Sequence, residues 1–140
     1  MRRPTSARLT ARIVIVDDDE YVREVTDLTL SEAGHTVRAT GSGLEALRWL
    51  EEESCELLII DLRMPEIDGP TLLREVRAKW PNDGPRVLLL SGCTECPSDP
   101  STGQPIDCPV LIKPFSLDDL SAAVARLLAQ ASDGSTPARA

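Results

Sequence analysis

Short runs of consecutive apolar residues at 13–16, 57–60, 87–90 and 110–112 each stop at a polar side chain, and no other feature of this 140-residue chain restricts its fold so strongly. Unbroken runs of that length read as strands buried on both faces. The segments between them carry apolar residues at helical spacing. That alternation implies a parallel sheet covered on both faces and joined by right-handed crossovers. In such open sheets the functional crevice lies at the carboxyl ends of the strands, which is where these runs meet their polar stops.

The predicted elements follow from local signals. "RIVIV" (Arg12–Val16) is the first strand and residues 19–33 the first helix, with Val22, Val25, Leu28 and Thr29 on its apolar face and Gly34 as its stop. "TVRAT" (Thr36–Thr40) is a short strand. Ser42, three residues before Glu45, forms a possible capping box for a second helix that turns Leu44, Leu47 and Leu50 inward. Residues 56–60 form the third strand. A third helix runs from Pro70, which suits a first helical position, to about Trp80. "RVLLLS" (Arg86–Ser91) and residues 109–113 are the fourth and fifth strands. Ser116 and Asp119 cap a last helix with a stripe of Leu117, Leu120, Val124, Leu127 and Leu128. The organisation expected is a disordered basic arm over 1–10, one domain over 11–130 and a disordered tail over 131–140.

The strand ends carry Asp17 and Asp18, Asp61, Ser91 and Lys113, and the topology gathers them at one edge. A carboxylate directly after a buried run, as at Asp61, is expensive to desolvate unless its charge is used. Like charges about 4 Å apart repel by about 4 kcal/mol at an effective dielectric near 20, so the cluster calls for a cation. Oxygen-only ligands suit Mg2+. With Lys113 supplying a fixed positive charge, the edge would welcome a phosphoryl group. Asp61 is the best nucleophile. Asp17 and Asp18 are left to hold the metal, and the Ser91 hydroxyl to hydrogen-bond a phosphoryl oxygen.

In order and spacing, "VIVDDDEYVRE", "LLIIDLRMPEIDG", "LLLSG" and "LIKPF" resemble the receiver domain of two-component response regulators, in its single-domain, chemotaxis-receiver-like form, over roughly residues 11–130. The resemblance implies a doubly wound, flavodoxin-like α/β fold with strand order 2-1-3-4-5. It makes Asp61 the phosphoacceptor, with direct Mg2+ ligands in Asp18, Asp61 and the backbone carbonyl of Arg63. Asp17 would act mainly through water. Ser91 matches the switch hydroxyl, and Lys113 the lysine before a cis proline. The donor implied is a phosphohistidine on a histidine kinase or phosphotransfer protein. The protein would then be a switch rather than an enzyme, catalysing only its own phosphoryl transfer and dephosphorylation, and acting on an unknown downstream protein.

Several positions depart from the family pattern. Val110 stands where receivers commonly carry Tyr or Phe. Residues 92–109 hold Pro97, Pro100 and Pro105, so the helix between the fourth and fifth strands is expected to be short or missing. These two departures keep a second reading open, a degenerate receiver that binds proteins without phosphorylation. Asp17 and Asp19 also match the D-x-D of aspartate-nucleophile phosphatases, but Tyr21 occupies the place of Thr or Val and the length leaves no room for a cap domain. Cys93, Cys96 and Cys108 are either reduced loop cysteines or a redox or metal sensor. By the resemblance, Cys93 and Arg63 correspond to positions near the phosphoryl group and are expected to tune its lifetime. A net charge of −8 and a pI near 4.6 argue against direct DNA binding. The N-terminal arginines lack an apolar signal region, and no apolar run is long enough to span a membrane, so a cytoplasmic protein is expected.

Overall fold

The computed structural model describes residues 10–62, 64, 68–92, 103 and 108–133, with side chains to residue 129. Its elements are β1 (Arg12–Val16), α1 (Glu20–Glu32), β2 (Thr36–Thr40), α2 (Gly43–Glu52), β3 (Leu57–Asp61), α3 (Gly69–Lys79), β4 (Arg86–Ser91), β5 (Val110–Ile112) and α4 (Leu117–Asp133). The strands form one parallel sheet in the order β2-β1-β3-β4-β5. The doubly wound α/β fold is therefore as expected. The segment between β4 and β5, on which the expectation of a short or missing helix falls, lies outside the described residues apart from Gly92, Gly103, Cys108 and Pro109. The same holds for the N-terminal arm up to residue 9. At the other end, α4 runs through Asp133, into the stretch expected to be tail.

Strand periodicity sorts the core into two layers. Ile13, Ile15, Leu57, Ile59, Leu88 and Leu90 face Leu30 of α1 and Leu120, Val124, Leu127 and Leu128 of α4. Val14, Val16, Leu58, Ile60, Val87 and Leu89 face Ala46 and Leu50 of α2 and Leu72, Leu73 and Val76 of α3. Trp49 of α2 and Trp80, at the C-terminal cap of α3, pack against the second layer. Capping fixes where the helices start. Asp19, Ser42 and Asp68 each accept first-turn N–H groups of α1, α2 and α3. Ser116 and Asp119 exchange hydrogen bonds reciprocally at the start of α4.

Three helix faces differ from expectation. The buried residues of α1 are Thr26 and Leu30, with Val22 packed against the same layer, whereas Leu28 is 59% exposed. The sheet selects the stripe at i, i+4 and i+8, which includes a threonine, over the more apolar stripe beside it. Leu44 and Leu117, each in the first turn of its helix, are exposed as well. His35 is half-buried, and its Nδ1 accepts the Ala11 N–H at 3.0 Å.

Candidate functional site at the carboxyl edge of the sheet

β1 and β3 run side by side in the register Ile15↔Ile59 and Val16↔Ile60. One step further along both strands stand Asp17 and Asp61. They follow Ile15 and Ile59 by two residues each, so strand geometry turns both carboxylates to the same face. Asp61 is the last residue of β3, paired with Leu90 of β4. Its backbone is held from below by the start of α3. A Cβ on Gly69 would lie 2.7 Å from Leu62 Cα and 2.9 Å from the Asp61 carbonyl oxygen, so only glycine allows that approach.

Asp17 is fully buried, and Asp61 and Ser91 are 7% and 5% exposed, whereas Asp18 is exposed on the turn into α1. One carboxylate oxygen from each of Asp17, Asp18 and Asp61 lies within 4.8 Å of the others. Lys113, one residue beyond β5, reaches across to this group. Its Nζ donates to Asp17 Oδ2 at 3.2 Å and lies 3.4 Å from Asp61 Oδ1. Burial works against the ammonium charge, but the fields of Asp17 and Asp61 and the hydrogen bonds to them outweigh it and raise the Lys113 pKa. The Lys113 N–H also donates to the Ser91 carbonyl at 2.7 Å, which ties the lysine to the end of β4. The Lys113–Pro114 bond is cis.

The turn after β1 is held at several points. The Asp17 N–H donates to the Thr40 carbonyl at 3.0 Å, and Asp17 Oδ1 accepts the Asp19 N–H at 2.9 Å. Arg23 Nη1 donates to the Asp17 carbonyl at 2.8 Å. Sequence reasoning missed Arg23 and its neighbour Gly41. The available signal was a basic residue one helical turn after the Asp19 cap, where its side chain can fold back over the turn.

Three carboxylates and one ammonium leave the cluster with a formal charge of −2, which a divalent cation would neutralise with oxygen ligands already close together. Asp17, Asp18 and Asp61 thus fit Mg2+. Arg63, whose carbonyl was expected to join them, and Cys93 and Cys96 lie outside the described residues. The Sγ atoms of Cys55 and Cys108 donate to the carbonyls of Leu57 and Val87, each at 3.4 Å. Val110 packs beside the α2–α3 layer. No helix among the described residues is long and apolar enough to cross a membrane.

A family model for the response regulator receiver domain matches residues 13–125. The response regulator receiver protein CpdR of Brucella abortus is 33% identical over 117 residues, which cover 84% of this chain and 96% of CpdR. The sensor kinase CckA of the same organism is 35% identical over 136 residues, 91% of this chain but 14% of the kinase. The response regulator MprA of Mycobacterium ulcerans is 33% identical, and the chain spans about half of its length. Among solved structures, the chemotaxis response regulator CheY4 of Vibrio cholerae superposes with a TM-score of 0.72 at 26% identity, covering 84% of this chain and 98% of CheY4. NtrX from Brucella abortus superposes with a TM-score of 0.76 at 26% identity, covering 88% of this chain and 28% of NtrX.

Proposed function

Because the chain belongs to the response regulator receiver family, we propose that it accepts a phosphoryl group on Asp61 from the phosphohistidine of a histidine kinase or phosphotransfer protein, with Mg2+ held by Asp17, Asp18 and Asp61. As a receiver it is a signalling module of a two-component system rather than a conventional enzyme. The observation that carries the finer reading is the meeting of three acidic oxygens with the Lys113 ammonium. No acidic turn formed for helix capping alone requires that arrangement.

In the transfer, an Asp61 carboxylate oxygen attacks phosphorus. A P–O bond forms as the P–N bond to the imidazole breaks, and the bonding pair stays with the departing nitrogen. Mg2+, when bound, supplies charge neutralisation of the phosphoryl oxygens. Lys113 offsets part of the charge from the opposite side, and Asp17, locked by its own hydrogen bonds, keeps that lysine in place. Ser91, at the end of the strand beside Asp61, is the hydroxyl donor for a phosphoryl oxygen. Rearrangement around Ser91 then shifts the populations of two conformations seen by a downstream protein.

Incubation with acetyl phosphate in magnesium buffer, read by intact mass, tests this. The wild-type chain gains one PO3 unit and Asp61→Asn does not. A wild-type chain that gains none, while still binding a partner, would establish the degenerate receiver instead.

A further inference from the structure

Lys113 neutralises Asp17 and Asp61 directly, but Asp18 lies out on the turn, and its position depends on the backbone that carries it. The Asp17 carbonyl and the Asp18 N–H belong to one planar peptide unit that ends at Asp18 Cα, so whatever holds that carbonyl restricts where the Asp18 side chain starts from the turn. Arg23 Nη1 donates to this carbonyl at 2.8 Å. The guanidinium lies in a notch over the turn between β2 and α2. A Cβ placed on Gly41 would be 2.9 Å from Arg23 Nη1, 3.6 Å from the Asp17 carbonyl oxygen and 3.7 Å from Asp18 Cα. Gly41 therefore leaves open the space the arginine occupies.

The floor of the notch is itself fixed. The Thr40 carbonyl accepts the Asp17 N–H, the Thr40 hydroxyl donates to the Glu45 carboxylate, and the Ser42 N–H donates to Thr40 Oγ1 at 3.0 Å. The peptide unit before Asp17 is thus gripped by β2, and the one after it by α1 through Arg23. Without the second grip, repulsion among three carboxylates would turn the Asp17–Asp18 peptide outward, since Asp18 is the one acidic group of the three exposed to water.

We propose that Arg23, seated in the notch left by Gly41, is a positioning residue that fixes the Asp17–Asp18 peptide for divalent-cation binding. The inference rests on the reading of Asp17, Asp18 and Asp61 as a cation site. It predicts that Gly41 matters to the cation although it touches no carboxylate. Gly41 is not in the left-handed region, so alanine there strains no backbone and collides only with the flexible tip of Arg23.

The test is calorimetric titration of the full chain with magnesium chloride, accompanied by amide NMR shifts of Asp17 to Asp19 and thermal melts in EDTA. Arg23→Met and Gly41→Ala each weaken Mg2+ binding by about tenfold, the order seen when outer partners of metal ligands are removed. The double variant is no weaker than Arg23→Met alone, because both changes break the same contact. Arg23→Lys, which retains one donor, recovers most of the affinity. A role confined to stability would lower the melting temperature and leave the Mg2+ affinity and the Asp18 amide shift unchanged. If wild type binds Mg2+ and both single variants bind within about twofold of it, the inference is overturned while the cation site stands. If wild type does not bind Mg2+, the cation site is overturned and the inference with it.

Discussion

Replacing Asp18 with asparagine should stabilise the metal-free protein. The Asp18 carboxylate has an oxygen within 4.8 Å of an oxygen on each of Asp17 and Asp61. At that separation one like-charge pair repels by about 0.9 kcal/mol in bulk water and about 3.5 kcal/mol at an effective dielectric near 20. Asp18 is exposed, so the two repulsions fall near the lower end and together come to about 2 kcal/mol before salt screening, which lowers them further. Against this, a negative charge just before the N-terminus of α1 is lost, a favourable term of about 0.3 to 1 kcal/mol. Asp18 makes no salt bridge to Lys113, so no buried charge is left unpaired. Repulsion wins by about 1 kcal/mol, which for a domain of this size raises the melting temperature by about 3 to 5 °C. Magnesium should reverse the order. At a concentration about a hundredfold above Kd the wild type gains about 2.7 kcal/mol, and the variant, lacking the proposed Asp18 ligand, gains far less. Differential scanning calorimetry in EDTA and in magnesium chloride measures both terms. A lower melting temperature for Asp18→Asn in EDTA would refute the electrostatic reasoning.

Thr26 is 1% exposed and its hydroxyl has no hydrogen-bond partner among the described residues; Thr26→Val should raise the urea midpoint by about 1 kcal/mol of stability, and a lowered midpoint would contradict this. Burial lowers the His35 pKa, and its Nδ1 is occupied by the Ala11 N–H. The unfolded chain therefore takes up the proton first, so stability is complete above about pH 6.5 and falls as pH drops toward the folded value. Melts across that range should show a steeper acid loss for wild type than for His35→Gln, and parallel curves would exclude the linkage. Burial, reinforced by Glu56, pushes the Cys55 thiol up to about 12; iodoacetamide at about pH 8 should label Cys55 slowly in the native chain and rapidly in urea, and prompt native labelling would show the thiol is not desolvated.

The strand ends were legible because an apolar run that stops at a charge says both where the strand lies and what it carries out of the sheet. β1, β2 and β4 end where the sequence places them. β3 extends one residue further, since the backbone of Asp61 still pairs with Leu90 even though its side chain has left the core. Helix faces were less legible. Periodicity finds an apolar stripe, but which stripe meets the sheet depends on how the helix crosses it, and on α1 that choice buries Thr26 and exposes Leu28. The Arg23 contact was the hardest to foresee. It joins α1, the turn after β1 and the turn after β2, which converge only when β2 and β1 pair in the register Val16↔Thr40. No local signal marks Gly41 as the vacancy for a guanidinium.

Charge also gives the proposed switch its direction. The cluster of Asp17, Asp18, Asp61 and Lys113 has a formal charge of −2, brought to about zero by one divalent cation. Phosphorylation of Asp61 to the acyl phosphate would remove one carboxylate charge and add about −1.5 to −2 on the phosphoryl group. The filled pocket then carries up to about one uncompensated negative charge, next to a residue that is 7% exposed. That excess favours any conformation bringing a hydrogen-bond donor to the phosphoryl oxygens. Ser91 stands on the adjacent strand with its carbonyl already held by the Lys113 N–H. In the proposed switch, a pull on the Ser91 hydroxyl would therefore reach Lys113 and the start of α4 through backbone. Because Val110 offers no ring to turn inward, this backbone connection is a route among the described residues by which phosphorylation would reach the α4 face.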